Sequence, residues 1–232
     1  MRHFLNFLCY PYAPADRSVR WGKKMRIALG VLVVMLVVNI ALGLLQTLLV
    51  SRGLIADAIG GFEKPAYIRE MSSYAVFLEF VVLAPLLEEL AFRGLLQRSS
   101  MYIRASLAVG LYLLVCTVFD LNFYIMDRWT LLIAVCSGMF FFLTRAYLER
   151  IKGFLDAPKV RLVLLWCGSI LFALWHYHNF TLEGMGLFTA VVHLLPFFIN
   201  GLLLAWVGVR FGLPWGIAVH AMNNAWPFLL LG

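Results

Sequence analysis

The chain has 232 residues, 63% of them apolar and 13% charged, with a mean hydropathy of +0.89. Soluble domains run near half apolar and a quarter charged, so a soluble globular protein is excluded. An open sheet would strand peptide groups in lipid, and a closed barrel would show short alternating strands instead of long apolar runs. The predicted fold class is therefore all-α, a polytopic transmembrane helical bundle.

Apolar runs of about 20 residues cross a hydrocarbon layer of about 30 Å. In chain order they predict about seven spans: Ile27–Val50, Ser73–Gln97, Ala105–Phe119, Trp129–Tyr147, Leu162–Tyr177, Leu187–Val209 and Leu213–Leu231. Residues 1–26 read as a basic N-terminal segment and 27–232 as a single integral-membrane domain. The first span is longer than a signal-peptide core and lacks a small-residue cleavage pattern, so it is expected to stay as an anchor. A re-entrant segment around Leu54–Phe62 would leave the count of spans open.

The formal charge is +7, from 19 basic and 12 acidic residues. Arg2, Arg17, Arg20, Lys23, Lys24 and Arg26 precede the first span and place the N-terminus in the cytoplasm. Alternation then puts Arg98, Arg104, Arg145, Arg150, Lys152, Lys159, Arg161 and Arg210 on the same side, with Arg52, Lys64, Arg69 and Arg128 outside. The basic residues are not interleaved with an exposed aromatic platform. They are read as topology signals and anionic-lipid contacts, and no nucleic-acid partner is expected. The four cysteines, Cys9, Cys116, Cys136 and Cys167, show neither a disulfide framework nor a paired metal motif.

The second span places Glu88, Glu89 and Arg93 in an apolar helix. Each charge would cost about 2.5–3.5 kcal/mol at mid-bilayer, so the three are expected to face protein or a water-filled cavity. Glu89 and Arg93 stand at i and i+4 with the acid first, the favourable order for an ion pair. Glu88, turned by about 100°, has no local cation and is the candidate general base. Pro85 cannot donate to the carbonyl of Val81, which predicts a kink three residues before Glu88. A buried ion network that only bridges helices would use the same residues.

The fifth span ends with Phe172 and His176 one turn apart, and His176 is a candidate proton-transfer group or metal ligand. In the seventh span His220 and Asn224 share a face and could donate to a developing oxyanion, or hydrogen-bond between helices. Asn223 is expected to point elsewhere. His178 is read as interfacial, and His193, beside Pro196, as structural.

These residues resemble the three motifs of the intramembrane CAAX-protease and bacteriocin-processing family (the Abi family), which includes the type II CAAX prenyl endopeptidases. Glu-Glu-x-x-x-Arg is matched by Glu88, Glu89 and Arg93, extended by Phe92 and Gly94; Phe-x-x-x-His by Phe172 and His176; His-x-x-x-Asn by His220 and Asn224. The resemblance covers roughly the C-terminal two thirds of the chain. It implies an intramembrane endopeptidase cutting a membrane-anchored or lipidated, CAAX-like peptide in the bacterial inner membrane. The implied catalytic set is Glu88, Glu89, His176, His220 and Asn224, with Arg93 and Phe172 in support.

Eighty-eight residues separate Glu88 from His176, where the family's motif helices usually neighbour one another. That is room for two extra spans, an even number that keeps the helices' relative direction. Counting about 1.5 Å per residue from the cytoplasmic ends puts Glu88 roughly 14 Å deep, His220 roughly 10 Å and His176 roughly 21 Å.

A metal-free mechanism with no cofactor is expected, since the chain lacks His-Glu-x-x-His and Asn224 suits an amide donor better than a ligand; zinc held by the glutamate and two histidines is the alternative. Two other functions use the same polar residues. One is a non-catalytic immunity or scaffolding protein, and the other a transporter relaying protons through Glu88 and Glu89, against which the absence of inverted repeats counts.

Overall fold

A computed structural model describes residues 2–11, 19–58 and 66–231. Arg17, Lys64 and the 59–62 half of the re-entrant candidate lie outside the described residues. Helix makes up 83% of the structure, and no strand forms among the described residues. Five helical stretches are long and apolar enough to cross a membrane: Trp21–Ser51, Ser100–Val118, Arg128–Leu155, Pro158–Asn179 and Leu187–Phe211.

A short helix α1 (Arg2–Cys9) folds back onto the bundle. Phe7 is buried there, and the Trp166 indole donates to the Leu8 carbonyl at 3.3 Å. Helix α2 starts at Trp21, within the predicted N-terminal segment, and runs to Ser51. Lys23, Lys24 and Arg26 can lie in its first turns because long basic side chains carry their charges outward along an apolar stem. The described part of the re-entrant candidate, Leu54–Ala58, is a non-helical loop pinned from beneath. The Ala58 carbonyl accepts from the Thr181 N–H at 3.0 Å, and Ala56 accepts from His193 Nε2 at 3.3 Å.

The second predicted span is not one regular helix. After a short α3 (Ala66–Glu70), α4 (Ser73–Phe77) starts at the Ser72 cap and passes into a π-helical stretch over Leu78–Leu83. It resumes as α5 (Ala84–Arg93) and closes in a 3₁₀ turn, Gly94–Leu96. The disturbance at Pro85 occurs as expected, but as a change of hydrogen-bond register. In the i→i+5 pattern the group facing residue 85 is the carbonyl of Phe80, so the orphaned acceptor is Phe80 rather than Val81.

Helices α6 (Ser100–Val118) and α7 (Arg128–Leu143) fill the gap between the first two motifs. A 3₁₀ turn, Thr144–Tyr147, then leads to α8 (Leu148–Leu155). Helix α9 (Pro158–Trp175) ends in a 3₁₀ turn, His176–Asn179, and α10 (Leu187–Phe211) bears Pro196. Gly212, at φ +104°, makes the tight reversal into α11 (Leu213–Leu231) that a side chain would strain.

Helix α10 is the hub, packed on α9, α11 and α2, while α5 lies against α6, α9 and α11. Met35, Phe172, Leu204, Val207 and Val219 form the core where α2, α9, α10 and α11 meet. Helix α7 packs mainly on α6, at the periphery.

Candidate active site

The three motifs, expected at unequal depths, converge. Glu88 Oε2 lies 3.7 Å from His220 Nε2 and 4.0 Å from His176 Nε2. The helix counting that set His176 apart assumed upright helices with ends at charge boundaries. The register change before α5 and the 3₁₀ end of α9 remove that assumption.

Glu89 is fully buried and holds two partners on one oxygen: Arg93 donates to Oε1 at 2.9 Å, and His220 donates its Nδ1–H to the same atom at 3.0 Å. The expected Glu89–Arg93 ion pair is present and is joined by His220. The guanidinium of Arg93 sits 3.9 Å from the Phe172 ring centroid, where the electron-rich face favours a cation. Small residues allow this approach, since a side-chain carbon on Gly201 would lie 3.3 Å from Arg93 Nη2 and one on Gly216 3.1 Å from Glu89 Oε2.

Glu88 is buried, takes a hydrogen bond from the Trp175 indole, and has no hydrogen-bond partner on Oε2. His176 donates its Nδ1–H to the Phe172 carbonyl at 2.8 Å, because a carbonyl can only accept. Its Nε2 lone pair therefore faces Glu88, and its ring stacks on Phe197 with centroids 4.1 Å apart. Glu88 Oε2 and His176 Nε2 are thus two acceptors turned toward one point. A water molecule, with two hydrogens to give, satisfies both.

Asn224 and His220 share a face, and each has one ring or amide nitrogen already engaged. Asn224 Nδ2 donates to the Phe80 carbonyl at 3.0 Å, the acceptor orphaned by the π register before Pro85. Asn223, expected to point elsewhere, lines the same cavity of about 250 Å³ as Phe172, His176, His220 and Asn224. His178 makes an edge-on ring contact with Tyr177, and His193 ties α10 to the loop after α2.

Sequence reading missed Trp175, Phe197 and the pair Asn39 and Asn200. The rule that singled out Glu88 also marks Asn39 and Asn200, because a polar side chain within a membrane span needs a partner or a cavity. No comparable signal marks Trp175 or Phe197.

Zinc held at 2.0–2.2 Å by tetrahedral nitrogen and oxygen ligands would bring donor atoms to about 3.3 Å from one another. The 3.7 and 4.0 Å separations are wider, and no metal-holding group of three His, Cys, Asp or Glu side chains occurs among the described residues. Comparison of the chain with protein-family models, with curated proteins and with solved structures gave no match.

Proposed function

We propose that this protein is an intramembrane endopeptidase of the CAAX-protease and bacteriocin-processing type that uses glutamate-activated water. The observation that carries the reading is the buried carboxylate of Glu88, unpartnered on Oε2 and faced by two imidazoles beside a cavity. Stranded charge of this kind in an apolar bundle marks a functional site.

In this mechanism a water hydrogen-bonds to Glu88 Oε2 and His176 Nε2. Glu88 takes one proton as the water oxygen bonds to the peptide carbonyl carbon. The second hydrogen, held by His176, orients the attack. His220, fixed through Nδ1 by Glu89, turns Nε2 to the same point and in its protonated form donates to the oxyanion. As the C–N bond breaks, Glu88 returns the proton to the leaving amine. Asn224 supports the site by satisfying Phe80, and its second N–H is available to the oxyanion.

In this reading the bent Ser73–Gln97 segment and Leu213–Leu231 also cross the membrane beside the five apolar helices, for seven spans in all. The basic residues then put the N-terminus in the cytoplasm, and a bacterial inner membrane suits this reading. The substrate class is a membrane-anchored or lipidated peptide reached from the cytoplasmic leaflet.

The test is cleavage of a peptide library by purified protein beside Glu88→Gln. Turnover should fall by at least about 10²-fold, the contribution of a general base, with thermal melting retained. Full turnover in the variant would overturn the base assignment, and a biological effect untouched by the variant would favour the scaffolding reading. Activity lost to a strong chelator and restored by zinc would replace the metal-free mechanism with a metalloenzyme.

A further inference from the structure

Three asparagines on three helices form a chain of amides inside the cavity beside Glu88. Asn200 Nδ2 on α10 donates to Asn39 Oδ1 on α2 at 2.9 Å, and Asn39 Nδ2 donates to Asn223 Oδ1 on α11 at 3.3 Å. All three line the cavity. Amide hydrogen bonds between membrane helices commonly serve as glue, but glue is closed on itself, and this chain is open at both ends. Asn200 is 6% exposed, and its Oδ1 has no hydrogen-bond partner. At the other end, Asn223 has used only its oxygen, so its Nδ2 keeps two hydrogens to give.

We infer that Asn200, Asn39 and Asn223 form a track for the substrate main chain, a deepening that rests on the endopeptidase reading. An acceptor at one end and a donor at the other complement a peptide unit, which offers one N–H and one carbonyl. The same complement selects the conformation of the occupant. A helical segment has spent its N–H and carbonyl groups internally and is about 10 Å across with side chains, too wide for about 250 Å³. The track therefore takes an extended, apolar segment, whose side chains meet Met35, Phe180 and Leu204 on the cavity wall. Asn39, between the two ends, is a positioning residue. Its two hydrogen bonds fix the orientation of both neighbours.

The experiment uses the full-length Glu88→Gln protein in detergent and a set of dansyl-labelled apolar heptapeptides, each prepared also with single main-chain amides replaced by esters. An ester removes one N–H and weakens the adjoining acceptor while keeping the side chains. Saturable binding with one or two ester positions that weaken it about tenfold, the size of one lost hydrogen bond, is the expected result. Asn39→Leu should weaken the all-amide peptide similarly and erase the ester penalty, a coupling that helix glue would not show. Should that variant fail to fold, the ester scan on the intact chain decides alone. Uniform binding across the ester series, or no saturable binding of any peptide, overturns the track. Hydrolysis by the wild-type protein without ester sensitivity would leave the endopeptidase standing and remove the track; ester-sensitive binding with no hydrolysis would do the reverse.

Discussion

The span that begins with α7, Arg128–Leu155, and helix α10 are alike in apolar character, yet only 11% of the most apolar stretch of the first is buried against 44% of the second. The difference lies in what interrupts the apolar run. Helix α10 carries His193, Asn200 and Gly201, and a side-chain carbon at Gly201 would press on Arg93, Phe172 and Ser169 at once. Gly138 of α7 has open space where a side chain would be. A small residue in a membrane helix therefore gives close packing only where a neighbour has something to place against it, which polar residues on the same helix disclose. The inner helices α5, α9, α10 and α11 hold the site, and the α6–α7 pair extends the bundle sideways.

The contrast breaks most severely at Arg93. Arg93→Ala strands the buried Glu89 charge and should destabilise the protein by about 3–5 kcal/mol, read as a large fall in melting temperature in detergent, with Glu89→Gln close behind. A melt as high as the wild type's would show the ion pair to be dispensable. Next comes a matched pair of truncations. Leu204→Ala, fully buried on α10, should cost about 2–5 kcal/mol, whereas Met139→Ala, 60% exposed on α7, should stay within about 0.5 kcal/mol. Equal costs in a denaturation series would erase the distinction between inner and outer helices.

Asn224→Leu sharpens the comparison within the second span. It leaves the Phe80 carbonyl unpaired at a cost of about 1–3 kcal/mol, and hydrogen exchange should accelerate over Leu78–Leu83 while α6 and α7 stay protected. The smallest effect is expected at the N-terminal end of α7. There Asp127 caps the helix by accepting from the Trp129 and Thr130 N–H groups, while Thr130 returns the bond to the Asp127 N–H. The Thr130 N–H bond is the main cause holding the Asp127 carboxyl below its ordinary range. The cap is therefore complete above the ordinary aspartate value and lost as pH falls through the lowered one. Protection of the first-turn amides of α7, relative to their intrinsic exchange rates at each pH, should fall with acid in the wild type, and Asp127→Asn should remove that loss of protection.

The charges within apolar runs made much of the candidate site legible in the sequence. Glu88, Glu89 and Arg93 stood out because lipid does not tolerate them unpaired, and their i, i+4 spacing foretold one ion pair. The joining of His220 to that pair was not legible, since it depends on how α11 crosses α5. Nor was the convergence of His176, because depth counted along straight helices ignores a π segment and a 3₁₀ end. The division of the second span escaped for a related reason: hydropathy reports that a stretch is apolar and says nothing about its hydrogen-bond register. Asn39 and Asn200 were visible but passed over beside the louder charges.

The π segment ending just before Pro85 has a consequence for how this chain tolerates insertions and deletions. Such a segment accommodates one residue beyond the α-helical complement, and here its register mismatch is absorbed at a proline already lacking its donor, with Asn224 satisfying the odd carbonyl. A single codon lost from Leu78–Leu83 could then revert the stretch to plain α-helix. Because the wide turn absorbs that extra residue, the half before it would keep its face, and Glu88 and everything after Pro85 would keep its place. The chain's length upstream of the carboxylates is thus free to drift by one residue without moving them.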